Sequence, residues 1–283
     1  VLSRIVLVSL AALAALAVTG CADGGRDPGR RSVVAAFYPL AWAAKQVGGD
    51  GVVVTDLTPA GAEPHDLELT PRDVQAARDA DLVLYLGGFQ PALDDALEEA
   101  HGKSVDLLAG RSAATAAGVD PHVWLDPRAY AGLARQIAIA IGPGASADGL
   151  VARLHGLDRA FARGLARCAR RELVTSHAAF GHLARRYGLE QVPLSGLEPE
   201  AEPSPRDLER LVERVRATGA TTVFVEPLVS PKLAETIARE AGVRTAVLNP
   251  LEGLTGDQLE AGEDYVTVME ANLAALRRAL GCA

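Results

Sequence analysis

The chain has 283 residues, room for two domains of ordinary size, and only three cysteines. Its 36 acidic residues outnumber 28 basic ones, a net charge of −8, which argues against a nucleic-acid partner because that calls for a basic face. The N-terminal stretch is apolar but short, and no later segment offers the roughly 20 apolar residues that a membrane span needs.

Arg4 is the only charge in the first twenty residues, and an apolar run from Ile5 to Val18 follows it. A basic start, a short apolar stretch and small residues before a cleavage point describe an export signal over residues 1–20. Its removal takes the net charge from −8 to −9. Cys21 comes directly after Thr19-Gly20, which resembles the bacterial lipobox and implies acylation of Cys21. Residues 21–31 then read as a lipidated, polar, glycine-rich tether. The chain is thus expected outside the cytoplasm, anchored to the cell membrane as a lipoprotein. There, conditions are oxidising, and the two remaining cysteines, Cys168 and Cys282, are expected to form one disulfide.

Short apolar runs predict strands at Ser32–Ala36, Val52–Asp56, Asp81–Tyr85, Ser104–Leu107, Glu172–Ser176, Glu190–Pro193, Thr222–Val225 and Arg244–Leu248. Several are apolar throughout, as parallel strands covered on both faces are. Between them lie capped helix starts. Thr70-Pro71-Arg72-Asp73 and Ser204-Pro205-Arg206-Asp207 each offer a hydroxyl cap, a proline at the first helical position and an acid two residues later. Asp126-Pro127 and Ser230-Pro231 repeat the cap and proline. The alternation predicts an α/β fold, and the recurrence of one helix-strand unit in both halves predicts two similar lobes. Residues 32–145 would form the N-terminal lobe and 171–283 the C-terminal lobe. Residues 146–170 would form a linking helix with the apolar stripe Leu150, Val151, Leu154, Leu157, Phe161 and Leu165. Such a helix would run about 35 Å along both lobes and restrict hinge motion.

Three histidines stand where regular elements meet loops: His65 in Glu63-Pro64-His65-Asp66, His122 in Asp120-Pro121-His122-Val123-Trp124-Leu125-Asp126-Pro127, and His177 in Ser176-His177-Ala178-Ala179-Phe180. In open α/β sheets ligands collect at the carboxyl ends of strands. Three imidazoles converging there would suit zinc, which takes neutral nitrogen ligands in tetrahedral geometry. Their spacing alone is not diagnostic.

These segments, with Phe37-Tyr38-Pro39-Leu40, Pro71-Arg72-Asp73, Ala80-Asp81-Leu82-Val83 and Asn249-Pro250-Leu251-Glu252-Gly253-Leu254, resemble the zinc- and manganese-specific substrate-binding proteins of ABC transporters. That family includes the zinc-uptake binding proteins and the streptococcal metal-binding lipoproteins. The match runs in order through nearly the whole chain after the tether. It implies two α/β lobes with parallel β-sheets flanked by helices, joined by one long backbone helix, with a metal in the cleft between them. It also implies an ABC transporter permease in the membrane as partner to a monomeric chain. The family's first three ligands carry over to His65, His122 and His177. Manganese binders tend to have a carboxylate at the third position, so His177 favours Zn2+ as the transported ligand. Many relatives place an Asp where this chain has Asn249. Glu252, three residues on, is therefore expected to be the fourth ligand, with Asn249 or water as alternatives. Glu226, after a strand, is a candidate to hydrogen-bond a ligand histidine. His101, His155 and His182 read as surface or structural residues. No His-rich loop precedes the second ligand, since 107–119 contains no histidine.

The alternatives are a manganese or other divalent-metal binder of the same type, a surface adhesin, or a zinc hydrolase. The last would need an open coordination position, and the chain has no His-Glu-x-x-His helix.

Overall fold

The structure, a computed structural model, describes residues 29–98, 103–110, 114–115, 118–199 and 204–283. The export signal, Cys21, most of the tether and His101 lie outside the described residues.

In the first half, strands β1 (Arg31–Ala35), β2 (Val52–Asp56), β3 (Leu82–Tyr85) and β4 (Ser104–Asp106) alternate with helices α1 (Tyr38–Gly48), α2 (Pro71–Asp79) and α3 (Pro91–Glu98). A small hairpin of β5 (Ala114–Thr115) and β6 (Gly118–Val119) precedes α4 (Pro127–Ile141) and α5 (Asp148–Gly164). The second half contains β7 (Glu172–Thr175), α6 (Gly181–Tyr187), β8 (Glu190–Pro193), α7 (Pro205–Thr218), β9 (Thr222–Val225), α8 (Lys232–Ala241), β10 (Arg244–Val247), α9 (Gly256–Glu260) and α10 (Tyr265–Leu280).

Each lobe holds a four-stranded sheet that is parallel throughout. The orders are β2-β1-β3-β4 and, read from the other edge, β8-β7-β9-β10. Both run second, first, third, fourth in chain order, so the lobes share one topology. In each, the strand order reverses between the first and third strands, and such switch points open a crevice at the carboxyl ends.

Local sequence accounts for most helix starts. Thr70 and Ser204 form capping boxes with Asp73 and Asp207, and Asp126 accepts from Arg128 N–H. Ser230 does not cap. α8 begins at Lys232 with Pro231 in the cap position and no side-chain cap, because the carbonyl of Pro231 takes the first helical bond from Glu235 N–H. The tether also ends one residue early: Arg31 already pairs with Val52, and its guanidinium caps the last carbonyls of α4 at Ala140 and Ile141.

The linking helix is shorter than its apolar stripe suggests. α5 stops at Gly164 and measures about 25 Å. Beyond it the backbone finds partners in the C-terminal segment: Ala169 N–H donates to Gly281 O, Arg170 N–H to Leu280 O, and Ala283 N–H to Arg167 O. Arg171 turns back to cap Leu165 O and Ala166 O. The Cys168–Cys282 disulfide closes this junction. Its partners are 114 residues apart, and closing so long a loop stabilises by about 4–5 kcal/mol in the chain-entropy model. Reduction, or replacement of both cysteines by alanine, is expected to lower the melting temperature with little change in secondary structure. Thermal unfolding followed by circular dichroism with and without reductant checks this.

One large apolar core runs from β1 through α4 and α5 to α10, and a smaller one lies between the second sheet and α7 and α8. α10 returns to the first lobe. Its Tyr265 stacks on Trp42 with ring centres 5.2 Å apart and donates to Trp124 O at 2.6 Å. Trp124 Nε1 in turn donates to Pro250 O at 2.8 Å. Asp158 on α5 binds Arg128 on α4 and Arg186 on α6. These contacts join the elements of the two halves directly.

Candidate metal centre

His65 lies in the loop between β2 and α2. Two observations fix that loop: Gly61 N–H donates to Leu254 O at 3.0 Å, and buried Gln90 donates through Nε2 to Pro64 O at 3.1 Å. The His65 ring packs edge-on against Phe89 at 4.5 Å. His122 precedes a single 3-10 turn that leads into α4. His177 follows β7, and Glu226 follows β9, so both stand at the switch point of the second sheet.

Glu252 comes from the segment after β10, where the backbone makes an unusual turn. Leu251 has φ 58°, a left-handed conformation that is costly for a branched side chain. Asn249 Oδ1 accepts from Leu251 N–H at 2.7 Å and holds the turn, while Asn272 exchanges two hydrogen bonds with the Asn249 backbone. Asn249 therefore spends its oxygen on the chain, and Glu252 is the residue carried into the cluster.

There the four side chains meet. One donor atom from each of His65, His122, His177 and Glu252 lies within 4.8 Å of the others. Glu252 Oε1 is 3.0 Å from His122 Nε2, 3.2 Å from His177 Nε2 and 3.5 Å from His65 Nε2. His122 Nε2 and His177 Nε2 are 3.4 Å apart. A tetrahedron built on zinc–nitrogen bonds of 2.0–2.1 Å has edges of about 3.3–3.4 Å, so these separations suit one such ion. Glu252 is fully buried, and its Oε2 has no hydrogen-bond partner, as if prepared for a cation.

Carboxylates stand behind two of the imidazoles. His122 Nδ1 is 3.0 Å from Asp120 Oδ1. His177 Nδ1 is 2.7 Å from Glu226 Oε2, off the line of a good hydrogen bond, while Glu226 Oε1 accepts from His177 N–H at 3.2 Å. Asp120, Gln90 and Glu63 add to the site without having been singled out. Glu63 was visible only as part of the Glu-Pro-His-Asp motif.

The electrostatics follow from burial against pairing. Burial of His122 opposes its charged form, but bonds to Asp120 and Glu252 outweigh this and raise its pKa. Burial opposes charge on His177 too, yet Glu252 and Glu226 push its pKa well above the ordinary value. Burial would raise the Glu252 pKa, but the charge of His177 and bonds from the three histidines hold it well below the usual carboxylate range. Burial and the neighbouring Glu252 charge push Glu63 up to about 8. In the absence of a metal, protons held on His122 and His177 balance the Glu252 charge.

Among the described residues, His155 and His182 stay outside the cluster. His182 Nε2 lies 3.0 Å from Asp120 O, and His155 is half-buried on α5.

Two lobes of one topology, with a buried cluster of three imidazoles and a carboxylate between them, define a two-lobed α/β protein with a candidate metal centre. The chain belongs to the family described as zinc-uptake complex component A, periplasmic, whose model matches residues 33–279. It is 36% identical to the zinc-binding lipoprotein AdcA of Streptococcus pneumoniae over 95% of this chain and 60% of that protein, so it spans about three fifths of that relative's length. It is 32% identical to the high-affinity zinc uptake system protein ZnuA of Bacillus subtilis, over 92% of this chain and 90% of that one. The crystal structure of the Zn(II)-bound ZnuA-like domain of Streptococcus pneumoniae AdcA superposes with a TM-score of 0.77 at 36% identity, covering 89% of this chain and 99% of that domain.

Proposed function

We propose that this chain is the extracytoplasmic zinc-binding component of an ABC importer, which captures Zn2+ and passes it to a membrane permease. His65, His122, His177 and Glu252 are the proposed ligands. The observation that carries the reading is their convergence from four separate segments at spacings suited to a tetrahedral ion. Three nitrogen donors and a single carboxylate favour zinc over the oxygen-loving manganese. Four protein donors would also close the coordination sphere, which suits capture rather than hydrolysis. The zinc-related names of the relatives agree with this reading.

Cys21 is the proposed lipid anchor, and 32–145, 146–170 and 171–283 are the proposed lobe, link and lobe. On this reading the protein, with Cys21 replaced for solubility, binds one zinc per chain in titration calorimetry. Excess manganese does not displace it, as elemental analysis of the recovered protein would record. Tight manganese with weak zinc would overturn the choice of metal, and no tight metal would overturn the function.

A further inference from the structure

Asp120 is 2% exposed and touches both lobes. On its own side, Oδ1 accepts from His122 N–H at 3.1 Å and lies 3.0 Å from His122 Nδ1. Across the junction it faces α6, which begins just after His177 and the turn Ala178–Phe180. His182 Nε2 lies 3.0 Å from Asp120 O and 3.6 Å from its Oδ2, and Arg185 Nη2 lies 3.7 Å from the same oxygen. Gly181 lets α6 come this close, since a Cβ there would stand 2.7 Å from Asp120 Oδ2.

These contacts have a chemical consequence. An imidazole carries one proton when it ligates a metal, and the nitrogen that keeps it is set by the other nitrogen's partner. A carboxylate on Nδ1 holds the proton there and turns the Nε2 lone pair to the cluster. The backbone carbonyl of Asp120, 3.0 Å from His182 Nε2, ties this residue to the helix that follows His177, and its Oδ2 faces His182 and Arg185 at 3.6 and 3.7 Å.

We propose that Asp120 is a positioning residue for the metal: it locks His122 with Nδ1 protonated and Nε2 presented to the cluster, and the close approach of α6 at Gly181 keeps its carboxylate against that ring. The inference rests on the zinc reading of the cluster. It separates two roles that burial alone would merge, filling space and orienting a ligand.

The test measures zinc affinity by chelator competition in the wild-type protein and in Asp120→Ala, Asp120→Asn and Gly181→Ala, together with the 15N ring shifts of His122 in the zinc-loaded proteins. Asp120→Ala is expected to weaken zinc by about 10–100-fold, the usual cost of losing a partner behind a ligand histidine. Asp120→Asn keeps the shape and an acceptor, so it should recover part of that loss. Gly181→Ala changes no charge and no ligand, yet its methyl crowds Oδ2, so it should weaken zinc by a smaller factor. The His122 Nδ1–H signal should shift in all three. Unchanged affinity and unchanged His122 shifts in Asp120→Asn and Gly181→Ala would overturn the proposal, as would weakened binding with His122 shifts unaltered. Failure of the wild-type protein to bind zinc would instead overturn the reading beneath it.

Discussion

Glu252→Ala is expected to lower zinc affinity by more than about 100-fold, beyond the range seen when only a ligand's supporting partner is lost. Among the described residues, Glu252 is the carboxylate that stands within 3.5 Å of all three Nε2 atoms. Without it, a dication would sit among neutral imidazoles in a buried pocket, its charge offset at longer range by Asp120 and Glu226 behind the rings. The variant also removes the charge that raises the histidine pKa values, which eases proton competition and returns a fraction of the loss. Asn249→Ala is the discriminating control. It removes the acceptor that holds Leu251 in its left-handed turn, with an expected stability cost of about 1–3 kcal/mol and a much smaller effect on zinc. Competition titrations on both variants check the order. Intact zinc binding in Glu252→Ala with loss in Asn249→Ala would transfer the fourth ligand to Asn249.

The second large effect is that of pH. Zinc displaces protons from imidazoles, and His122 and His177 both hold theirs to higher pH than an ordinary histidine. The fall in affinity on acidification should therefore begin above about pH 6.5. Release of one to two protons per zinc would make it about 10- to 100-fold per pH unit. Stability of the metal-free protein runs differently. The raised histidines contribute stability that is fully present below their unfolded pKa and lost as pH rises through the folded one. Glu252, held low, contributes above its unfolded pKa and loses that contribution as pH falls through its folded value. The metal-free protein should gain most from this network between about pH 4.5 and 6.5, where both contributions hold. The melting-temperature increase caused by zinc should shrink steadily from pH 8 to pH 5. A constant increase over that range would contradict proton competition at the site.

Much of the architecture was legible because it depends on local chemistry. The strand at Val52–Asp56 and those at Glu190–Pro193 and Thr222–Val225 appear with the expected bounds, since short β-rich runs between turn residues leave little choice. Thr70 and Ser204 cap their helices because the hydroxyl, the proline and the acid all lie within four residues. Ser230 offered the hydroxyl and proline without the acid, and the helix began one residue later than such a cap would set it. The link failed differently. Its apolar stripe is buried as expected, but the backbone beyond Gly164 pairs with the far end of the chain, which no local pattern announces.

The site divides along the same line. By itself the sequence determined the eight strands of the two sheets, the capped starts of three helices at Pro71, Pro127 and Pro205, the compartment-based pairing of Cys168 with Cys282, and, through motifs of a few residues, the candidates His65, His122, His177, Glu226 and Glu252. Only the tertiary structure decided that Glu252 and not Asn249 enters the cluster, that Asp120 backs His122, that Gln90 braces the His65 loop, and that Tyr265 and Trp124 tie the lobes together. The physical reason is range. Helix periods and caps act over one or two turns, whereas the contact between His122 and Glu252 joins residues 130 positions apart and exists only once two sheets have folded and docked.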